Sequence, residues 1–142
     1  MMAKPLCATH VLVVEDEPMT ADLLRFVLER QGYRTSHVVD GLAAKAWLQG
    51  PERVDAMVLD LLLPQLGGLD LLRWLRVQPS RALLPVLVLS ALDGDDVAVQ
   101  AFRAGASDYL RKPFNPDELL ARLRRCMESP AQDLAPAASR HG

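Results

Sequence analysis

The chain has 142 residues, 50% of them hydrophobic and 24% charged, with a formal net charge of −2 at pH 7. That length suits one domain with a real core, and the hydrophobic content excludes general disorder. The near balance of charge gives no electrostatic basis for direct nucleic-acid or anionic-lipid binding, and no apolar run approaches the roughly 20 residues that membrane insertion needs.

Short apolar runs alternate with longer amphipathic ones along the chain. Residues 1–8 form an N-terminal extension without the apolar core of a secretion signal. The first strand is predicted over His10–Val14, HVLVV, which is apolar without alternation and so suits a strand covered on both faces. The first helix, 18–32, has Pro18 in its first turn, a core stripe of Met19, Leu23, Phe26 and Val27, and Gly32 as its stop. The second strand, 35–39, is more polar and suits a place nearer the sheet edge. A short helix over 41–48 ends before Gly50-Pro51, and a third strand covers 54–59. A mostly apolar helix over 69–77 precedes the fourth strand, 85–89. The fourth helix runs from acidic Asp95 to Gly105, and the fifth strand covers 108–110. The last helix, 116–127, has Asn115 as its N-cap, with Asp117 and Glu118 in the first turn. Residues 129–142, SPAQDLAPAASRHG, lack periodicity and read as a flexible tail or the start of a linker. Cys7 and Cys126 have no metal-like spacing, the latter reading as a helix filler, so a reducing cytoplasm is the expected location.

Five strands alternating with five helices imply an α/β domain with a parallel sheet and right-handed crossovers. The C-terminal ends of such strands share one rim, where ligands of open α/β sheets bind. Glu15 and Asp16 follow the first strand, Asp60 the third, Ser90 the fourth, and Lys112 lies just past the fifth. Taken singly, Glu15 reads equally as a helix cap, Ser90 as a loop hydroxyl and Lys112 as a surface charge. Asp60 is harder to dismiss, because LLLPQLGG after it begins no helix to cap. Lys112 is one of only three lysines, with Lys4 and Lys45, in a chain that otherwise uses arginine. Three acids could hold a hard divalent ion such as magnesium, with manganese as a substitute. With that charge screened, an Asp carboxylate can attack phosphorus while Lys112 and Ser90 meet the phosphoryl oxygens.

The sequence resembles the receiver domains of bacterial response regulators over residues 9–128. VLVVEDEP resembles the family's first strand and acidic pair. VLDLLLPQLGGLDLL resembles its phosphoacceptor segment, LVLSAL its switch-hydroxyl segment and GASDYLRKPF its segment with the switch aromatic and the phosphate-contacting lysine. The resemblance implies a flavodoxin-like (βα)5 three-layer sandwich with a parallel sheet of order 2-1-3-4-5. It implies Asp60 as phosphoacceptor, with Lys112 and Ser90 assisting. Glu15, Asp16, Asp60 and the backbone carbonyl of Leu62 would be the metal ligands. Ser90 and Tyr109 would be the switch pair, Tyr109 rotating inward after phosphorylation, and the Lys112–Pro113 peptide would be cis. A sensor histidine kinase or His phosphotransfer protein would donate the phosphoryl group. The switched face would be helix 4, strand 5 and helix 5, which is also a candidate homodimer interface. Asp108 and Arg122 fit its charged pairing in part.

Gly67 stands where many relatives carry Asp, and Glu15 where Asp is commoner, while Leu62 and Leu92 are apolar at two variable positions. Neither leucine can orient a hydrolytic water, which implies slow self-dephosphorylation. The alternative is a magnesium-dependent phosphohydrolase with an aspartyl nucleophile, but Leu62 stands where such enzymes need a second Asp. A flavin or nucleotide module is disfavoured because no Gly-rich turn follows the first strand.

Overall fold

The computed structural model describes residues 8–92 and 95–128; the calls on residues 1–7 and 129–142 lie outside them. The elements run β1 (His10–Val14), α1 (Pro18–Arg30), β2 (Arg34–Val38), α2 (Gly41–Gln49) and β3 (Ala56–Asp60). They continue with α3 (Gly68–Arg76), β4 (Val86–Ser90), α4 (Asp95–Ala104), β5 (Asp108–Arg111) and α5 (Pro116–Glu128). All neighbouring strands pair in parallel, in the order β2-β1-β3-β4-β5. The fold is the flavodoxin-like one that the resemblance implied, and the polar second strand is indeed an edge.

Alternation along each buried strand feeds two cores. Leu12, Val14, Met57, Leu59, Val86 and Val88 face Ala44, Leu48, Leu71, Leu72, Leu75 and Ala101, beneath α2, α3 and α4. Val11, Val13, Val58, Leu87 and Leu89 face Leu24, Val27, Leu28, Leu119 and Leu123, beneath α1 and α5. Covering both faces leaves no polar side chain inside the central strands except at their ends. Cys126 fills space in the second core, where burial pushes its thiol up to about 12 and keeps it unreactive at neutral pH.

Strand boundaries differ from the expected ones by one or two residues. β3 starts at Ala56 rather than at residue 54, because the Asp55 carboxylate takes the His10 N–H at 2.8 Å in place of a regular ladder partner. β4 starts after Pro85, which has no N–H to give. β3 and β4 each extend to include their terminal polar residue, Asp60 and Ser90.

The stripe expected for α1 is corrected by the structure. Its buried residues are Ala21, Leu24, Val27 and Leu28, whereas Met19, Leu23 and Phe26 are 78%, 46% and 58% exposed. Both stripes have helical spacing, so periodicity alone does not choose between them. The short turn from β1 sets the rotation of the helix, and it turns the small Ala21 toward the sheet.

Two glycines let the segment after β3 fold down. A Cβ on Gly41 would overlap the Leu66 carbonyl, and one on Gly68 would stand 2.7 Å from the Asp60 carbonyl oxygen. Gly67 is the N-cap of α3 and offers it no side-chain bond.

Candidate functional site

The rim formed by the strand ends carries a compact polar cup. Glu15 follows β1 and is 1% exposed, held on four sides. Its N–H donates to the Val38 carbonyl at 3.1 Å, and its own carbonyl accepts from His37 Nε2 at 2.8 Å. Its carboxylate accepts from the Glu17 N–H at 3.1 Å and from Lys112 Nζ at 2.8 Å. Asp60 ends the central strand, 5% exposed, and accepts from the Leu62 N–H at 3.2 Å and from Lys112 Nζ at 3.3 Å. Asp16 is exposed on the rim. One carboxylate oxygen from each of Glu15, Asp16 and Asp60 lies within 4.8 Å of the others.

Lys112 is therefore a single ammonium shared by two buried acids, with a third acid alongside. Burial raises the Glu15 carboxyl; Lys112 pulls it down and Asp60 pushes it up again, and the net direction is up. Burial alone would lower the Lys112 ammonium, but Glu15 and Asp60 outweigh it and the net direction is again up. The cup thus keeps its cation and carries an excess of negative charge. An all-oxygen donor set with uncompensated charge fits a hard divalent cation.

Ser90 is fully buried at the end of β4, where its Oγ accepts the Leu92 N–H at 3.0 Å and its carbonyl accepts the Lys112 N–H at 2.9 Å. The Lys112–Pro113 peptide is cis. The structure thus brings Glu15, Asp16, Asp60 and Lys112 together, with Ser90 tied to them through the Lys112 backbone. The Leu62 and Leu92 side chains stand outside at the mouth, 54% and 37% exposed. Tyr109 is not in the cup. Its ring packs against the core under α2, α3 and α4, and its hydroxyl is already buried, with no hydrogen-bond partner among the described residues. His37 and Glu17 also hold the cup, and neither stands out in the sequence.

The chain matches the family model of the response regulator receiver domain over residues 11–124. It belongs to the response-regulator receiver family. Receiver domains of this family take a phosphoryl group on aspartate in two-component signalling. The chain is 37% identical over 132 residues to the DNA-binding dual master transcriptional regulator RpaA of Synechocystis sp. (strain ATCC 27184 / PCC 6803 / Kazusa), covering 93% of this chain and 54% of that protein. Among solved structures, the receiver domain of a signal transduction histidine kinase from Syntrophus aciditrophicus aligns with a TM-score of 0.79 at 35% identity, over 85% of this chain and 91% of that one. The receiver domain of sensor histidine kinase PA1611 from Pseudomonas aeruginosa PAO1, solved with magnesium coordinated in its active site cleft, aligns with a TM-score of 0.77 at 35% identity. It covers 86% of this chain and 99% of that one. This receiver spans about half the length of the curated relatives it matches. Among its described residues no helix is long and apolar enough to cross a membrane.

Proposed function

We propose that this receiver accepts its phosphoryl group on Asp60, from a phosphohistidine of a sensor histidine kinase or His phosphotransfer protein. The observation that carries this is Lys112 Nζ bridging Asp60 and Glu15 inside a cluster of three carboxylates. Glu15, Asp16 and Asp60, with the Leu62 carbonyl, would hold magnesium, and manganese would substitute. When bound, the ion neutralises the acids and the incoming phosphoryl oxygens. An Asp60 oxygen bonds to phosphorus as the donor's P–N bond breaks and the imidazole leaves with that electron pair. Lys112 stays charged and meets a phosphoryl oxygen. Ser90 has its hydroxyl proton free to donate to another, because its oxygen is the acceptor for Leu92.

The chain is then not an enzyme in the ordinary sense: it catalyses its own phosphorylation and slow dephosphorylation in the cytoplasm. The test is incubation with acetyl phosphate and magnesium, borohydride trapping and peptide mapping. The adduct is expected on Asp60, and an adduct on another residue overturns the assignment. Leu62→Asn places a polar amide at the mouth and is expected to shorten the phosphoryl lifetime about tenfold by orienting water. An unchanged lifetime measured by intact mass would remove that role.

The exposed Met19, Leu23 and Phe26 on α1 begin just past Glu15 and Asp16. They support docking of the phosphodonor protein on this side of the cup, since an apolar surface next to a charged site suits a protein partner. Leu23→Ser with Phe26→Ser is expected to slow transfer from the cognate kinase at least tenfold, in line with the loss of two buried apolar anchors. Phosphorylation by acetyl phosphate should stay unchanged. Equal transfer rates from the kinase would exclude this face.

Output would pass through α4, β5 and α5 to a partner or a linked output domain. Asp108 and Arg122, implied as parts of an intermolecular seam, pair within the chain, with Arg122 Nη1 3.1 Å from both Asp108 oxygens and its Nε 3.0 Å from Glu118. A homodimer here would therefore rest first on the exposed Val99 and Phe102. Tyr109, already inward, would report the signal by a change in what its buried hydroxyl meets rather than by turning in from solvent.

A further inference from the structure

The Glu15 carbonyl lies just beyond the β1 ladders, whose registers end at Val14 on both sides. A side chain, not a neighbouring strand, takes it: His37 Nε2 on β2, at 2.8 Å. A carbonyl oxygen only accepts, so Nε2 carries the proton and the ring is a directed donor. Water at the rim would satisfy that carbonyl equally well if nothing more were at stake.

The peptide that this bond holds joins Glu15 to Asp16. It is planar, so holding its oxygen restrains the rotation of the whole unit, the Asp16 nitrogen and the flanking Cα atoms included. The carboxylates on either side of it are two of the three acids in the cup. Glu15 is also restrained through its side chain by Lys112 and the Glu17 N–H. Asp16, exposed on the rim, depends on its backbone for its aim. Magnesium tolerates little departure from octahedral geometry, so a small rotation of this peptide matters.

We infer that His37 is a positioning residue of the metal site: through the Glu15 carbonyl it orients the peptide between two ligands and so sets where Asp16 points. The inference rests on Glu15 and Asp16 being magnesium ligands. It concerns affinity for the ion, with the phosphoryl chemistry left to other groups.

The test is calorimetric titration of magnesium into the wild-type chain, His37→Gln, His37→Leu, His37→Met and Asp16→Asn, with a thermal melt of each. Gln keeps an N–H donor of similar reach, whereas Leu and Met remove it in two shapes, so that one misfolded variant does not decide the matter. Expected are an affinity about tenfold weaker for whichever of Leu and Met folds, and near wild-type affinity for Gln. Wild-type affinity in the donorless variants, even with a lower melting temperature, would make His37 merely structural and overturn the inference. Equal weakening in Gln and Leu overturns it too. Should Asp16→Asn itself bind magnesium like wild type, the reading of the metal site fails instead.

Discussion

Asp60→Asn is expected to take up no phosphoryl group from acetyl phosphate and, without divalent ions, to melt higher than the wild-type chain. The first result follows from losing the carboxylate proposed to attack phosphorus. The second is a balance of charges. Asp60 sits 3.3 Å from Lys112 Nζ, an attraction of about 5 kcal/mol at an effective dielectric constant near 20. Against it stands repulsion from Glu15, with carboxylate oxygens within 4.8 Å, of at least about 3.5 kcal/mol on the same scale. Asp16 adds less, because solvent screens an exposed charge. Desolvation of a carboxylate that is only 5% exposed costs several kcal/mol more and tips the sum. Asn keeps an oxygen for the Leu62 N–H by turning its amide NH2 toward Lys112, whose ammonium then shifts to pair one to one with Glu15. A gain of about 1 kcal/mol, or about 4 °C in melting temperature, is the expected size. Magnesium should raise the melting temperature of this variant less than that of the wild type. Calorimetry in chelator and in magnesium checks both, and a lower melting temperature in chelator would show that Lys112 needs both acids.

The opposite substitution has the opposite effect. Lys112→Met leaves Glu15 and Asp60 buried with no cation, and removing one member of a buried pair costs about 3–5 kcal/mol. Magnesium should recover much of that loss. Phosphorylation from acetyl phosphate should still fall by about two orders of magnitude at saturating magnesium if Lys112 is, as proposed, the preorganised ammonium that meets the phosphoryl oxygens. Fluorescence melts and intact-mass time courses measure the two parts separately. A phosphorylation rate within a fewfold of wild type would assign Lys112 to stability alone.

The acidic cup was legible because each member follows an unbroken apolar run, and parallel strands bring such ends to one rim. Lys112 was legible through the scarcity of lysine. The edge position of β2 could be read from its polarity. The buried face of α1 was not, since Met19-Leu23-Phe26 and Ala21-Leu24-Leu28 are equally good helical stripes, and only the turn after Val14 distinguishes them. His37 looked like one more polar residue of an edge strand; its bond to Glu15 joins positions 22 residues apart. Asp108 and Arg122 fit an intermolecular pairing only in part, and nothing in residue spacing tells an internal pair, as found here, from an external one.

β3 lies in the middle of the sheet, laddered to β1 on one side and β4 on the other, whereas β5 has a neighbour on one side only. A phosphoryl group on Asp60, as proposed, would therefore add its charge where the backbone yields least. Displacing β3 would disturb two ladders, whereas displacing an edge strand, β2 or β5, disturbs one, so the sheet is stiffest beneath the acidic cup and most compliant at its two margins.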